Sequence, residues 1–307
     1  MIRRTIFAAL GATVAMVNPP SALAQETLPV VATFSILSDF VKNVGGDRVS
    51  ITTLVGTNGD AHVYQPAPAD AKKLAGAKVI FVNGFKLEGW IDRLIKASGT
   101  KASVVTATKG ITPREMAEDE DRDGRKGQAH EHGVDPHAWQ SIANARIYVA
   151  NIRDALAAVD PAGKEAYEKN AADYLAKLAA VETEVKEAIA KIPAERRRII
   201  TTHDAFGYFG AAYGFEFIAP QGVSTETEAS ARDVAKIIRQ IRAQKIPAVF
   251  LENVSDPRLV QRISEETGAK IGGTIYSDAL SGESGPASTY IDMMRHNIRE
   301  LSAALTS

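Results

Sequence analysis

Between Asp160 and Pro193, apolar side chains recur at Tyr167, Tyr174, Leu178, Val181, Val185, Ile189 and Ile192. The intervals of seven, four, three, four, four and three place them on a single stripe of a helix. Asp160 is a good N-cap, Pro161 suits the first helical position, and Pro193 stops the run. At 1.5 Å rise per residue, Ala162 to Ile192 spans roughly 46 Å, about the length of a two-domain protein. A segment of this kind is either the core helix of one domain or a rigid strut between two.

What flanks it favours the strut. Between residues 28 and 110 the β-rich runs VVATFSI, VSITTLV, KVIFVN and ASVV alternate with helical patterns, and after residue 197 the same rhythm returns in RRIITT, FEFIAP, PAVFLE and KIGGTIY, with a helical pattern over 228–244. Strands alternating with helices predict parallel sheets covered on both faces. The expected fold is therefore α/β: two parallel-sheet α/β domains, 25–159 and 194–307, joined by one long rigid helix at 160–193. Residues 114–133, REMAEDEDRDGRKGQAHEHG, lack apolar periodicity and are expected to form a mobile, acidic, histidine-containing loop.

The first residues belong to neither domain. MIRRTIFAALGATVAMVNPPSALAQ runs from Arg3 and Arg4 through an apolar stretch to the small-residue site Ala22-Leu23-Ala24, which predicts a signal peptide over 1–24 and a mature chain beginning at Gln25. Losing two arginines and no acid moves the formal net charge from −1 to −3, so there is no basic footprint for nucleic acid. The chain has no cysteine. It therefore has no disulfide and no thiol for lipid attachment, and any metal site must use nitrogen and oxygen. The expectation is a periplasmic protein, secreted through a cleaved signal peptide and not lipid-anchored.

Four residues stand out by position. His62 in GDAHVYQP, His203 in TTHDAFGYF and Asp278 in YSDAL each follow the carboxyl end of an expected parallel strand, where open α/β sheets place ligand sites. His137, in DPHAW, sits in the loop leading to a helix that begins near Ser141. Two of the four come from each half of the chain, so closing the halves would gather three imidazoles and a carboxylate in one cleft. Three neutral nitrogens and an anionic oxygen suit a borderline divalent cation, zinc foremost. Of the histidines in QAHEHGVDPHAW, His137 is the expected buried ligand; His130 and His132 are solvated loop residues or transient captors of metal. Tyr64, Phe206 and Tyr208 are candidate cleft walls or core aromatics. Glu252 either meets a ligand imidazole or caps the following helix, and His296 is expected to be structural.

The motifs GDAHVYQP, DPHAW, THDAFGYFGAAYG, VSTETEASARDVAKII, VFLENVSDPRLVQRI and YSDAL…YIDMMRHNI, in this order over nearly the whole mature chain, resemble those of the periplasmic zinc and manganese substrate-binding proteins of ABC transporters, the cluster A-I or cluster 9 group. The resemblance implies a metal in the cleft between two α/β domains joined by a long helix, with His62, His137, His203 and Asp278 at the four ligand positions. Manganese binders of the family usually carry glutamate at the third position, so His203 favours Zn²⁺ as the transported ligand. The chain departs from the family's habit at Gln65, often glutamate, and at Gln140-Ser141-Ile142, often a Leu-Asp-Pro type stretch. The implied partner is an ABC permease in the inner membrane, with a periplasmic metallochaperone as a further candidate. A monomer is expected.

Other classes make different demands. A zinc hydrolase keeps an open coordination position beside a general base, and H-E-x-x-H, G-x-S-x-G and phosphate-cradling glycine loops are all missing from the sequence. An adhesin would call for an anchor, repeat or stalk. A binding protein rather than an enzyme is expected, with a manganese or iron receptor of the same family as the alternative. The long helix is expected to limit hinge bending, so that loading orders loops more than it swings domains.

Overall fold

The computed structural model describes residues 27–115, 133–226 and 228–306. The expected signal peptide, most of the 114–133 loop, and His130 and His132 lie outside them.

Two four-stranded parallel sheets organise the described residues. The first is built from β1 (Leu28–Phe34), β2 (Val49–Val55), β3 (Val79–Val82) and β4 (Ser103–Thr106) in the order β2-β1-β3-β4. The second is built from β5 (Arg198–Ile200), β6 (Glu216–Ile218), β7 (Ala248–Glu252) and β8 (Lys270–Ile275) in the equivalent order β6-β5-β7-β8. All pairings are parallel. The fully buried run VIFV of β3 is the near-continuous apolar strand that a sheet covered on both faces requires. In each sheet the strand order reverses beside the first strand, and such a switch point opens a crevice at the strands' carboxyl ends.

Helices α1 (Ser35–Gly45), α2 (Pro68–Gly76), α3 (Ile91–Ser98) and α4 (Ile142–Val159) accompany the first sheet, and α6 (Gly207–Tyr213), α7 (Ala231–Gln244), α8 (Pro257–Thr267) and α9 (Tyr290–Leu305) the second. Between them runs α5 (Lys164–Ala190), 27 residues and about 40 Å long. Its stripe of Tyr167, Tyr174, Leu178, Val181, Val185 and Ile189 is buried against α1, α4 and α9, helices from both halves of the chain.

The start of this helix differs from the expected one. Pro161–Gly163 forms a 3₁₀ turn, and the Asp160 side chain makes no capping hydrogen bond. Its Oδ2 accepts instead from Arg48 Nη2 at 2.8 Å and Tyr167 Oη at 2.8 Å. The carboxylate is thus shared between Arg48, Tyr167 and the turn at Gly163, and the regular α-helix begins at Lys164.

Strand parity divides the core. Ala248 and Phe250 of β7 join one large cluster that runs from β1 through Trp139, Tyr148, Tyr174 and Leu178 to Tyr290 and Met294, whereas Val249 faces a smaller cluster with Ile237, Ile241 and Val260 under α7 and α8. The large cluster is shared by both sheets.

Candidate metal centre

Each of the four candidate residues sits at a strand's carboxyl end or in a helix-entry loop. His62 lies in the β2–α2 connection, His203 three residues beyond β5, Asp278 three beyond β8, and His137 just before the 3₁₀ turn Ala138–Gln140 that leads into α4. Together they offer three imidazole nitrogens and a carboxylate oxygen, all within 4.8 Å of one another.

The carboxylate is at the centre. Asp278 Oδ2 lies 3.3 Å from His62 Nε2 and 3.2 Å from His203 Nε2, and Oδ1 lies 3.4 Å from His137 Nε2. His62 Nε2 and His137 Nε2 are 3.1 Å apart. Four donors on a small cation at 2.0–2.1 Å in tetrahedral geometry stand about 3.3 Å from one another, close to the spacings of Asp278 from the three rings and of His62 from His137. His137, His203 and Asp278 are fully buried and His62 nearly so.

Carboxylates stand behind two of the rings. Asp135 Oδ1 accepts from the His137 backbone N–H at 2.9 Å and lies 2.9 Å from its Nδ1. Glu252 Oε1 accepts from the N–H groups of Thr202 and His203 at 2.7 and 2.9 Å, and its Oε2 makes an ion-pair contact of 2.6 Å with His203 Nδ1, outside hydrogen-bonding angles. These contacts leave Nε2 of each ring aimed at the centre. Burial pushes the His137 imidazole down, but Asp278 and Asp135 outweigh it and raise it to about 9. Burial also pushes His203 down, and Glu252 and Asp278 together hold it well above the usual histidine range. For Asp278 burial pushes up, yet His203 and His137 keep the carboxyl well below the carboxylate range. The carboxylate and the imidazoles of His137 and His203 favour one another's charged forms, a role that one divalent cation can take over beside the carboxylate.

The loop bearing Asp278 is fastened to the first half of the chain. Trp139 Nε1 and Gln140 Nε2 both donate to the Ser277 carbonyl, at 2.9 and 2.8 Å, and Leu280 N–H donates to Ser35 Oγ at 2.9 Å. Gln140, where the family pattern often differs, thus holds the peptide before Asp278.

Of the two readings of Glu252, the structure has it meeting His203. The candidate wall residues have other partners: Tyr64 donates to Asp70, Phe206 stacks on Phe217, and Tyr208 receives the Arg114 N–H. Trp139, in edge contact with His137 at 5.3 Å, is the aromatic beside the centre. His296 lies in α9 against the Thr274 carbonyl at 2.8 Å, apart from the four. Sequence reasoning missed Asp135 and Asp60. The signal was a repeated D-x-H: Asp60 Oδ1 accepts from the His62 N–H at 2.8 Å as Asp135 does from that of His137. It also missed Arg114, whose guanidinium lies 3.6 Å from Asp135 Oδ2; a side chain at Gly207 would collide with both.

The model of the family ZnuA, "Zinc-uptake complex component A periplasmic", matches residues 30–304. The chain belongs to this family. Among relatives, the iron-binding protein YfeA of Yersinia pestis is 36% identical over 95% of this chain and 91% of its own, and the manganese-binding lipoprotein MntA of Halalkalibacterium halodurans is 34% identical over 89% and 87%. The solved periplasmic zinc binding protein TroA of Treponema pallidum superposes with a TM-score of 0.84 at 30% identity, covering 92% of this chain and all of that one. The ZnuA-family chain is accordingly a metal-binding substrate-binding protein of the ABC-transporter type, built to deliver metal to a membrane permease.

One expectation is corrected here. MntA and the streptococcal PsaA and ScbA are named lipoproteins, which overturns the expectation of a protein with no lipid anchor. The missing cysteine excludes only a thiol-linked lipid. No helix among the described residues is long and apolar enough to cross a membrane.

Proposed function

We propose that His62, His137, His203 and Asp278 bind one Zn²⁺ as cargo for an import permease. The observation that carries this reading is the convergence of three buried Nε2 atoms on one ionised, buried carboxylate. Nitrogen-rich sites bind zinc more tightly than manganese in the Irving–Williams order. Four protein ligands close the coordination sphere, whereas a catalytic zinc keeps a position for water, so the reading is carriage without catalysis. In the same reading the two sheets belong to separate lobes, 25–159 and 194–307, with 160–193 as the strut.

A second reading, a manganese or iron receptor, is favoured by the names of MntA and YfeA. Metal content and competition on the purified chain separate the two. One tightly held Zn²⁺ per chain, not displaced by excess Mn²⁺ and lost in Asp278→Ala, supports the zinc reading. Preference for Mn²⁺ or Fe²⁺ overturns it, and Zn²⁺ held undiminished without Asp278 would reopen a three-histidine hydrolytic site.

A further inference from the structure

The four residues are not held alike. His137 is backed by Asp135 and His203 by Glu252, while the peptide before Asp278 is fastened by Trp139 and Gln140. No carboxylate among the described residues stands behind the His62 ring. His62 is also the one of the four with any solvent exposure, 5% against 0% for the others, and its neighbour Val63 is 45% exposed. The solvent side of the centre is therefore the loop that carries His62.

The loop is held at its start by the Asn58 N–H, which donates to the Leu280 carbonyl at 2.8 Å, and beside His62 by Trp90 Nε1, which donates to the Ala61 carbonyl at 2.8 Å; the bond across the cleft nearest His62 runs through Asp60. Asp60 uses Oδ1 to accept the His62 N–H at 2.8 Å and Oδ2 to accept from Thr225 Oγ1 at 2.5 Å. Thr225 comes from the β6–α7 connection, on the opposite side of the cleft. One carboxylate thus ties the His62 peptide to the other half of the protein.

We propose that Thr225 and Asp60 form a latch that sets the rate of metal exchange, the metal entering and leaving by displacement of the His62 loop while the other three residues stay in place. Thr225 is a positioning residue here: it acts on His62 through Asp60 and touches no metal. The inference rests on reading the four residues as metal ligands.

The test is release of Zn²⁺ from the loaded full chain into excess chromophoric chelator, for wild type, Thr225→Val and Thr225→Ser. Valine keeps the shape and removes the hydroxyl. Losing one hydrogen bond to a charged acceptor is expected to speed release of Zn²⁺ about tenfold, with serine close to wild type and the melting temperature of the metal-free protein unchanged. Release from Thr225→Val at the wild-type rate, or equal acceleration by serine, overturns the latch alone, because the wild type would still have loaded. A wild-type chain that takes up no Zn²⁺ overturns the site reading and the latch with it.

Discussion

Binding of a cation at this centre must expel protons, and the number can be worked out from the carboxylates around it. The His137 imidazole is raised to about 9, and His203 is held well above the usual histidine range by Glu252 and Asp278 against the downward push of burial. The Nδ1 protons face Asp135 and Glu252, so the Nε2 protons are the ones a metal displaces. A group about two units above pH 7 competes with the metal by roughly 100-fold at that pH, and by about tenfold more at pH 6. Affinity for Zn²⁺ should therefore rise with pH, with a slope of at least about one decade per unit between pH 6 and 8 from His137, and steeper with the raised His203. Titration calorimetry at pH 7, in buffers of different ionisation enthalpy, should count at least one proton released per ion. Fewer than one proton, or affinity that is flat from pH 8 to 6, would refute the reasoning. The same raised value makes the metal-free fold respond in the opposite direction. Stabilisation by His137 is complete below the unfolded value of about 6.5 and lost as pH rises through about 9, so the metal-free melting temperature should fall over that interval.

Three further perturbations follow from named contacts. Glu252→Gln keeps an oxygen for the Thr202 and His203 amides but removes the charge beside His203 Nδ1, and should weaken Zn²⁺ affinity about 10–100-fold by competition titration without unfolding the chain. Leu178→Ala, in the fully buried stripe of α5, should cost about 2–5 kcal/mol in urea denaturation of the metal-free protein. Small-angle scattering should give the same radius of gyration with and without Zn²⁺, since one apolar cluster spans both sheets; a clear contraction on loading would count against a rigid frame.

The periodic stripe from Tyr167 to Ile189 and the alternating strands were legible because burial on one helix face, or on both faces of a sheet, leaves a pattern within a single segment. The VSITTLV run coincides with β2, and the 228–244 pattern with α7 and its Ser230 cap. Less legible was anything decided by a partner far along the chain. Asp160 reads as an N-cap until Arg48, 112 residues away, takes its carboxylate. Glu252 has two equally good uses until His203 is seen beside it. The four residues at the centre could be named because each stands at the end of a strand or the start of a helix. The groups that set their charge, Asp135 above all, carry no such mark beyond the two-residue spacing to a histidine. The identity of the metal is less legible still, since donor atoms within 4.8 Å of one another admit several divalent cations.

With two of the four residues drawn from each half of the chain, parting the halves would be the obvious way to free the metal. Energetics argue otherwise. Tyr290 of α9 packs edge-on to Phe40 of α1 with centroids 4.7 Å apart and donates to the Trp139 carbonyl at 2.7 Å, while Trp139 in turn reaches the Ser277 carbonyl. Opening this seam would expose two aromatic side chains of about 150–250 Å² each, which at about 25 cal/mol per Å² costs about 8–12 kcal/mol before any hydrogen bond is lost. Freeing the His62 loop breaks the bond between Thr225 and Asp60, worth about 1.5–3 kcal/mol, and, where the whole connection lifts, those of Trp90 to the Ala61 carbonyl and of the Asn58 N–H to the Leu280 carbonyl, about 0.5–1.5 kcal/mol each. The smaller cost favours moving the loop over parting the halves. If the four residues hold the metal as proposed, three of them stay fixed within a continuous core while the His62 loop moves, and the surface a permease would meet is the exposed Val63 beside the half-buried Thr225.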